Sequence, residues 1–156
     1  MRRKNKSISG TSISRYKIHL LNGTFTSQIM EDRTIYVSGP IGNKGKCTSE
    51  EILKNVEIAE DIYGFLIEKG YSPFCPHLSY YPDKRWRDEN IRQLPHDAWL
   101  RMDFQWVKKC RYFFYMNPKK YGESHGAKME YDLAIKEGKR IFHSLDEVPS
   151  KLEIPV

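Results

Sequence analysis

The sequence has few of the features that mark a secreted, disulfide-bonded or membrane-embedded protein. Its three cysteines, Cys47, Cys75 and Cys110, are odd in number and widely spaced, which fits neither a disulfide framework nor a zinc site. No apolar run approaches the length that spans a bilayer. The basic start at residues 1–7 is not followed by the apolar stretch of a secretory signal. We therefore expect a cytoplasmic protein that does not associate with a membrane and binds no metal or cofactor.

Acidic residues are missing from the first 30 positions. This segment contains six basic residues: Arg2, Arg3, Lys4, Lys6, Arg15 and Lys17. It accounts for the whole net charge of +6, because residues 31–156 carry 20 basic and 20 acidic side chains. We interpret residues 1–32 as a basic extension, with Asn22-Gly23 typical of a tight hairpin turn. Contact with nucleic acid stays an alternative to a solubilising role, and the lack of an aromatic stacking pattern weakens it.

From Arg33 onward, strand and helix patterns alternate. Strands are predicted at residues 34–37, 71–76, 112–116 and 140–143, and helices at residues 48–70, around Asp103, and around Glu130 up to Gly138. This alternation predicts a mostly parallel sheet with helices on both faces, which is a three-layer α/β fold of the flavodoxin or Rossmann-like type over residues 33–156. Two prolines place the second strand at a sheet edge.

Three segments are predicted to form loops at the carboxyl ends of these strands, where ligands bind on parallel sheets. They are residues 39–42, residues 77–95 and residues 119–125. The long middle segment shows neither a helical nor a strand period, and its His77, Tyr80, Tyr81 and Trp86 could form a stacking lid or a packed cover.

Two carboxylates lie on helix stripes that are otherwise apolar. Residues three and four positions away are Trp99, Leu100, Trp106 and Val107 for Asp103, and Gly126, Ala127, Leu133 and Ala134 for Glu130. An ionised carboxylate on such a face is costly unless it is compensated, and shifted carboxylate pKa values are typical of catalytic sites. Either acid alone could reach water at the edge of its stripe. Both acids together in one small domain favour an active site.

Three motifs follow one another along the chain: residues 36–41, residues 103–107, and residues 124–134 followed by 138–141. In this order they resemble the nucleoside 2-deoxyribosyltransferase superfamily, which also contains nucleoside 5′-monophosphate N-glycosidases, and the resemblance covers residues 33–144. It implies that Glu130 attacks the anomeric carbon of a nucleoside, that Tyr36 orients Glu130, and that Asp103 helps to protonate the leaving base. Retaining glycosyl transfer uses such a carboxyl pair.

The resemblance and the local chemistry together predict the substrate-binding residues. These are Ser38, Gly39, Ile41, Asn43, Lys44, Ser124, His125 and Gly126. Residues 42–46 form a basic turn that could wrap a 5′-phosphate, although a solvated loop is the alternative for Lys44 and Lys46. Ser124 and the amides that follow it open a helix, which favours anions.

Three functions remain open from the sequence. We favour cleavage of the N-glycosidic bond of a (deoxy)nucleoside or its 5′-monophosphate with water as the acceptor, because of Ser124, the basic turn and the short segment after Ser144. The alternatives are a deoxyribosyltransferase that exchanges bases, and a catalytically weak nucleotide sensor. The resemblance further implies a homodimer or larger homo-oligomer.

Overall fold

The computed structural model of the protein describes residues 13–19 and 25–151. It divides into two compact units between Asp32 and Arg33. In the first unit, β1 (Ile13–His19) and β2 (Phe25–Glu31) pair antiparallel, with His19 opposite Phe25. The predicted Asn22-Gly23 turn lies outside the described residues, as do Arg2, Arg3, Lys4 and Lys6.

The second unit is built on a four-stranded parallel sheet. Its strands are β3 (Thr34–Ser38), β4 (Ser72–Phe74), β5 (Tyr112–Tyr115) and β6 (Arg140–Phe142). They lie in the order β4-β3-β5-β6, and every neighbouring pair is parallel. This confirms the predicted α/β fold. β4, with Pro73 at its centre, is an edge strand as predicted, because proline lacks the amide that a central strand needs.

Five α-helices connect and cover these strands. They are α1 (Ser49–Glu68), α2 (Tyr80–Asp88), α3 (His96–Lys109), α4 (Pro118–Tyr121) and α5 (His125–Lys136). At the start of α1, Thr48 Oγ1 accepts from the Glu51 amide at 3.2 Å, and Glu51 Oε2 accepts from the Thr48 amide at 2.7 Å. These bonds form a capping box. No helix in the described residues is long and apolar enough to cross a membrane.

The two faces of the sheet carry separate hydrophobic cores. Successive residues of β3 point to opposite faces, so Ile35 and Val37 pack towards α1 while Tyr36 packs with Val107 of α3 and Ala127 of α5. The sheet therefore lies between two helical layers, as a three-layer fold requires. This alternation also directs Tyr36 and Ser38 to the face that holds Glu130.

The prediction of a loop over residues 77–95 was wrong for residues 77–88, whereas residues 89–95 form no helix or strand. A 3-10 turn (Pro76–Ser79) leads directly into α2. No residue of α2 is buried, so the helix lacks the apolar period that would have predicted it. Its exposed surface instead carries ion pairs four residues apart, between Asp83 and Arg87, Lys84 and Asp88, and Arg85 and Glu89, which stabilise a polar helix.

The predicted loop over residues 119–125 is also partly helical. Pro118 opens the short helix α4, and the Asn117 side chain caps it by accepting from the Lys119 amide at 2.9 Å. His125 is the first residue of α5 rather than the end of a loop. The apolar period cannot detect a four-residue helix, because it spans little more than one turn.

Candidate active site

A cleft of about 630 Å³ opens where the chain leaves the carboxyl ends of β3 and β5. Its volume lies within the usual range of small-molecule sites. Nine of the residues predicted from the sequence line it: Gly39, Ile41, Asn43, Lys44, Asp103, Ser124, His125, Gly126 and Glu130. Tyr36 and Ser38 are fully buried and do not line the cleft. The structure therefore brings both predicted carboxylates to one cavity.

Glu130 lies on the buried face of α5, between Ala127 and Ala134 one turn away on either side. Its side chain is only 6% exposed. Ser38 Oγ donates a hydrogen bond of 2.5 Å to Glu130 Oε2. Burial raises the pKa of Glu130 to about 8, while the bond from Ser38 opposes this shift by favouring the carboxylate. Glu130 is thus a buried acid that accepts a hydrogen bond from the Ser38 hydroxyl.

Tyr36 lies beside Glu130, where each side chain affects the pKa of the other, and its orienting role stays a prediction. Its ring is stacked between Phe74 and Phe113, with centroids 5.7 and 5.6 Å away. The buried hydroxyl has no partner at hydrogen-bonding geometry. Burial first, then the charge of Glu130, raises the pKa of Tyr36 well above its usual value. In this structure, Ser38 is the residue that fixes Glu130, two positions further along the same strand face.

Asp103 completes the buried cluster from α3. The residue is 8% exposed, and its Oδ1 atom is buried without a hydrogen-bond partner. Burial alone raises the pKa of Asp103 to about 7. Its charge also raises the pKa of Glu130, so the two carboxyl groups titrate as a coupled pair. The pair therefore retains a proton near neutral pH.

The turn after β3 forms a second wall with an unusual backbone. Asn43, Lys44 and Gly45 all have positive φ angles, of 43°, 54° and 79°. Left-handed conformations are costly for residues other than glycine and cluster at functional sites. Gly42 before them is right-handed, a right-to-left step that is typical of anion-binding turns. The amides of Gly45 and Cys47 close the turn by donating to the Gly42 carbonyl, at 3.1 and 3.3 Å.

The start of α5 lies against this turn. Ser124 caps the helix, and its Oγ accepts from the Ala127 amide at 3.4 Å, which leaves the hydroxyl hydrogen free to donate elsewhere. Lys44 and Lys46 are both exposed, but Lys44 lines the cleft and Lys46 lies outside the lining. The turn, Lys44 and the start of α5 together make this side of the cleft attractive to an anion.

His77 supports the turn from beneath and is no part of a stacking lid. Its fully buried ring donates from Nε2 to the Pro40 carbonyl at 3.1 Å. Burial lowers the pKa of His77 to about 4, so the ring is neutral. Of the other residues considered for a lid, Tyr80 lines the cleft, Tyr81 is exposed, and Trp86 stacks on Trp99.

Gly39 is required where β3 passes the end of β5. A Cβ atom at this position would lie 2.2 Å from the sulfur of Met116 and 2.9 Å from its Cβ. Both contacts are far inside van der Waals distance. The glycine thus allows the cleft floor to approach β5 closely.

Sequence reasoning missed the residues that α2 and the start of α3 contribute to the cleft. They include Asp83, Arg87, Gln93 and His96. The opposite charges four residues apart were a usable signal for α2. No group of three or more metal-ligating side chains occurs in the part of the chain that the structure describes.

A comparison with known families matches one region of the chain. The sequence profile of a family described as "Domain of unknown function (DUF7768)" matches residues 33–144. This region contains all four strands of the parallel sheet and every residue of the cluster formed by Glu130, Ser38, Tyr36 and Asp103. No curated protein matches the chain.

Proposed function

Since the chain belongs to the family described as a domain of unknown function (DUF7768), we propose its function from its site. We propose that it hydrolyses the N-glycosidic bond of a (deoxy)nucleoside 5′-monophosphate, with Glu130 as the nucleophile. The observation that carries this proposal is the buried carboxyl pair of Glu130 and Asp103 at one cleft, with Ser38 bonded to Glu130. The likeness of three motifs to the nucleoside 2-deoxyribosyltransferase superfamily supports it.

The pair provides two different roles for two carboxyl groups. Retaining glycosyl transfer needs one ionised nucleophile and one protonated acid. The hydroxyl of Ser38 donates to Glu130 and so favours its ionised form, while Asp103 Oδ1 has no hydrogen-bond partner. Burial raises the pKa of Glu130 to about 8 and that of Asp103 to about 7, so the proposed roles require the proton of Glu130 to move to Asp103 when the substrate binds. On the Ser38 bond and the likeness of the motifs, we assign the nucleophile to Glu130 and the acid to Asp103.

The reaction then proceeds in two balanced steps. A carboxylate oxygen of Glu130 bonds to the anomeric carbon as the carbon–nitrogen bond breaks. The bonding electrons leave with the base, which takes the proton of Asp103. In the second step the Asp103 carboxylate removes a proton from water, which attacks the anomeric carbon and releases Glu130. Both carboxyl groups return to their starting forms.

The 5′-phosphate is assigned to the wall formed by the turn and the start of α5. Asn43 and Lys44 of the left-handed turn, and Ser124, His125 and Gly126 at the start of α5, line this part of the cleft. Charge-assisted hydrogen bonds to a phosphate contribute about 1.5–3 kcal/mol each. Several such donors would make the monophosphate a much better substrate than the free nucleoside.

Base exchange by the same intermediate is the second candidate. The cleft has apolar side chains, Leu94, Trp99 and Leu100, on the wall beyond the carboxyl pair. A free base held there could replace water as the acceptor. The protein would then act as a deoxyribosyltransferase, and a second base would appear in the product.

A substrate panel with matched variants tests the proposal. The protein is incubated with nucleosides and their 5′-monophosphates, with and without a second base, and free base is followed by chromatography. Glu130→Gln should abolish base release with an unchanged circular dichroism spectrum. Glu137→Gln, at the exposed end of α5, is the control and should keep full activity. Turnover by Glu130→Gln, or no release from any substrate, contradicts the proposal. Light scattering of the same preparation tests the expected homo-oligomer.

A matched pair of lysine variants tests the position assigned to the phosphate. Lys44→Ala should lower kcat/KM for the monophosphate about 10- to 100-fold and barely alter that for the nucleoside. Lys46→Ala removes the same charge two residues away, outside the cleft lining, and should change neither value. Equal losses on both substrates for Lys44→Ala, or a wild type that prefers the free nucleoside, would favour the transferase.

A further inference from the structure

One wall of the cleft has no role in the two steps of the proposed hydrolysis. It consists of α2 and the residues that lead into α3, and it contributes Tyr80, Asp83, Arg87, Gln93 and Trp99 to the lining. The phosphate is assigned to the turn after β3 and the start of α5, and the sugar to Glu130 and Asp103. The base is the remaining part of the substrate, and this wall is the remaining part of the cleft.

The ion pairs of α2 differ in where they face. Asp83 and Arg87 line the cleft, and Arg87 donates to Asp83 across 3.0 Å. The Asp83 side chain is 23% exposed, against 59% for Asp88, whose pair with Lys84 lies outside the lining. The helix therefore presents one acceptor and one planar donor to the cavity, close together.

Aromatic stacking fixes this helix to α3. The Trp86 ring lies nearly parallel to Trp99, with centroids 6.5 Å apart and planes 16° apart. The Arg92 guanidinium also lies over the Trp86 ring, 4.8 Å from its centroid. Asp83 and Arg87 are thus held on an anchored element, and Tyr80 and Trp99 add ring surfaces to which a base can stack.

We propose that this wall is a nucleobase subsite in which Asp83 and Arg87 select guanine. The inference rests on the proposed function, which places the sugar at Glu130. A carboxylate accepts hydrogen bonds only, and it pairs best with two adjacent donors. Guanine offers these as N1–H and N2–H₂, whereas adenine and cytosine place an acceptor beside their amino group. Guanine O6 and N7 also accept from an arginine fork, which gives Arg87 a partner.

Binding to the catalytically blocked protein tests this subsite. Full-length Glu130→Gln protein is titrated by calorimetry with the guanine, hypoxanthine, adenine and cytosine 5′-monophosphates, each with ribose and deoxyribose. We expect the guanine nucleotide to bind most tightly. Asp83→Asn in this background should weaken it about 10- to 100-fold. The loss should be smaller for hypoxanthine, which lacks the 2-amino group. Asp88→Asn, on the same helix outside the cleft, should change no affinity.

The outcomes separate the subsite from the catalytic proposal. Equal affinities for all bases, or equal effects of Asp83→Asn and Asp88→Asn, would overturn the subsite even if the wild type releases base. A guanine preference that depends on Asp83, in a wild type that releases no base, would uphold the subsite and overturn the hydrolase. If none of the nucleotides binds, both proposals are wrong.

Discussion

Two regions of the cleft carry ionisable residues, and their environments differ. We call the pair of Glu130 and Asp103 the floor, and α2 with Asp83 and Arg87 the wall. On the floor, Glu130 and Asp103 are buried, and their pKa values are raised to about 8 and about 7. On the wall, Asp83 and Arg87 form a partly hydrated ion pair on a helix without buried residues. Under the proposed function, the buried pair carries out the reaction, and the partly hydrated pair recognises the base. The two regions should therefore respond differently to the same type of substitution.

Replacing the aspartate of each region gives the largest expected contrast. Asp103→Asn removes the proton donor and should lower kcat about 10²–10⁴-fold. Asp83→Asn leaves the carboxyl pair intact and should act on KM and on the choice of base. Steady-state kinetics on one monophosphate measures both parameters. A large fall in kcat for Asp83→Asn with an unchanged KM would contradict the assignment of Asp83 to binding rather than to the chemical step.

The pH dependence of stability should also come from the floor. Its carboxyl groups have higher pKa values in the folded protein than in the unfolded chain. Below about pH 4 they are protonated in both states, so their burial does not lower the free energy of unfolding through ionisation. Stability is then lost as the pH rises through about 7–8. Urea unfolding at pH 5 and pH 8.5 measures it. The double variant Asp103→Asn, Glu130→Gln should flatten the profile, and a wild type more stable at pH 8.5 than at pH 5 contradicts this account.

The smallest effect is expected on the solvent side of the wall. Lys84→Ala removes an exposed ion pair with Asp88 and should leave the midpoint of urea unfolding almost unchanged. Added salt should reduce any remaining difference, because exposed charges are screened. Urea unfolding of the wild type and the variant in low and high salt measures both effects. A clear loss of stability in the variant would contradict the view that this ion pair is only a solvated surface contact.

The same contrast explains what the sequence could predict. Apolar periods predicted the parallel sheet and its main helices, and they made Asp103 and Glu130 conspicuous as polar residues on apolar stripes. They could not predict α2, because a helix held by ion pairs and by the Trp86–Trp99 stack has no buried face. The bond from Ser38 to Glu130 depends on the position of α5 over β3. The alternation along β3 nevertheless places Ser38 on the face of Tyr36, and this signal was available.

A covalent sugar on Glu130 is the most direct test of the central claim. The protein is mixed with the best 5′-monophosphate from the panel, quenched in acid within the first turnover, digested, and analysed by mass spectrometry. The account predicts a peptide containing Glu130 that is heavier by the glycosyl phosphate, and no such peptide from Glu130→Gln. Rapid base release without any adduct, together with an inverted anomeric centre in the product, would show that Glu130 is not the nucleophile.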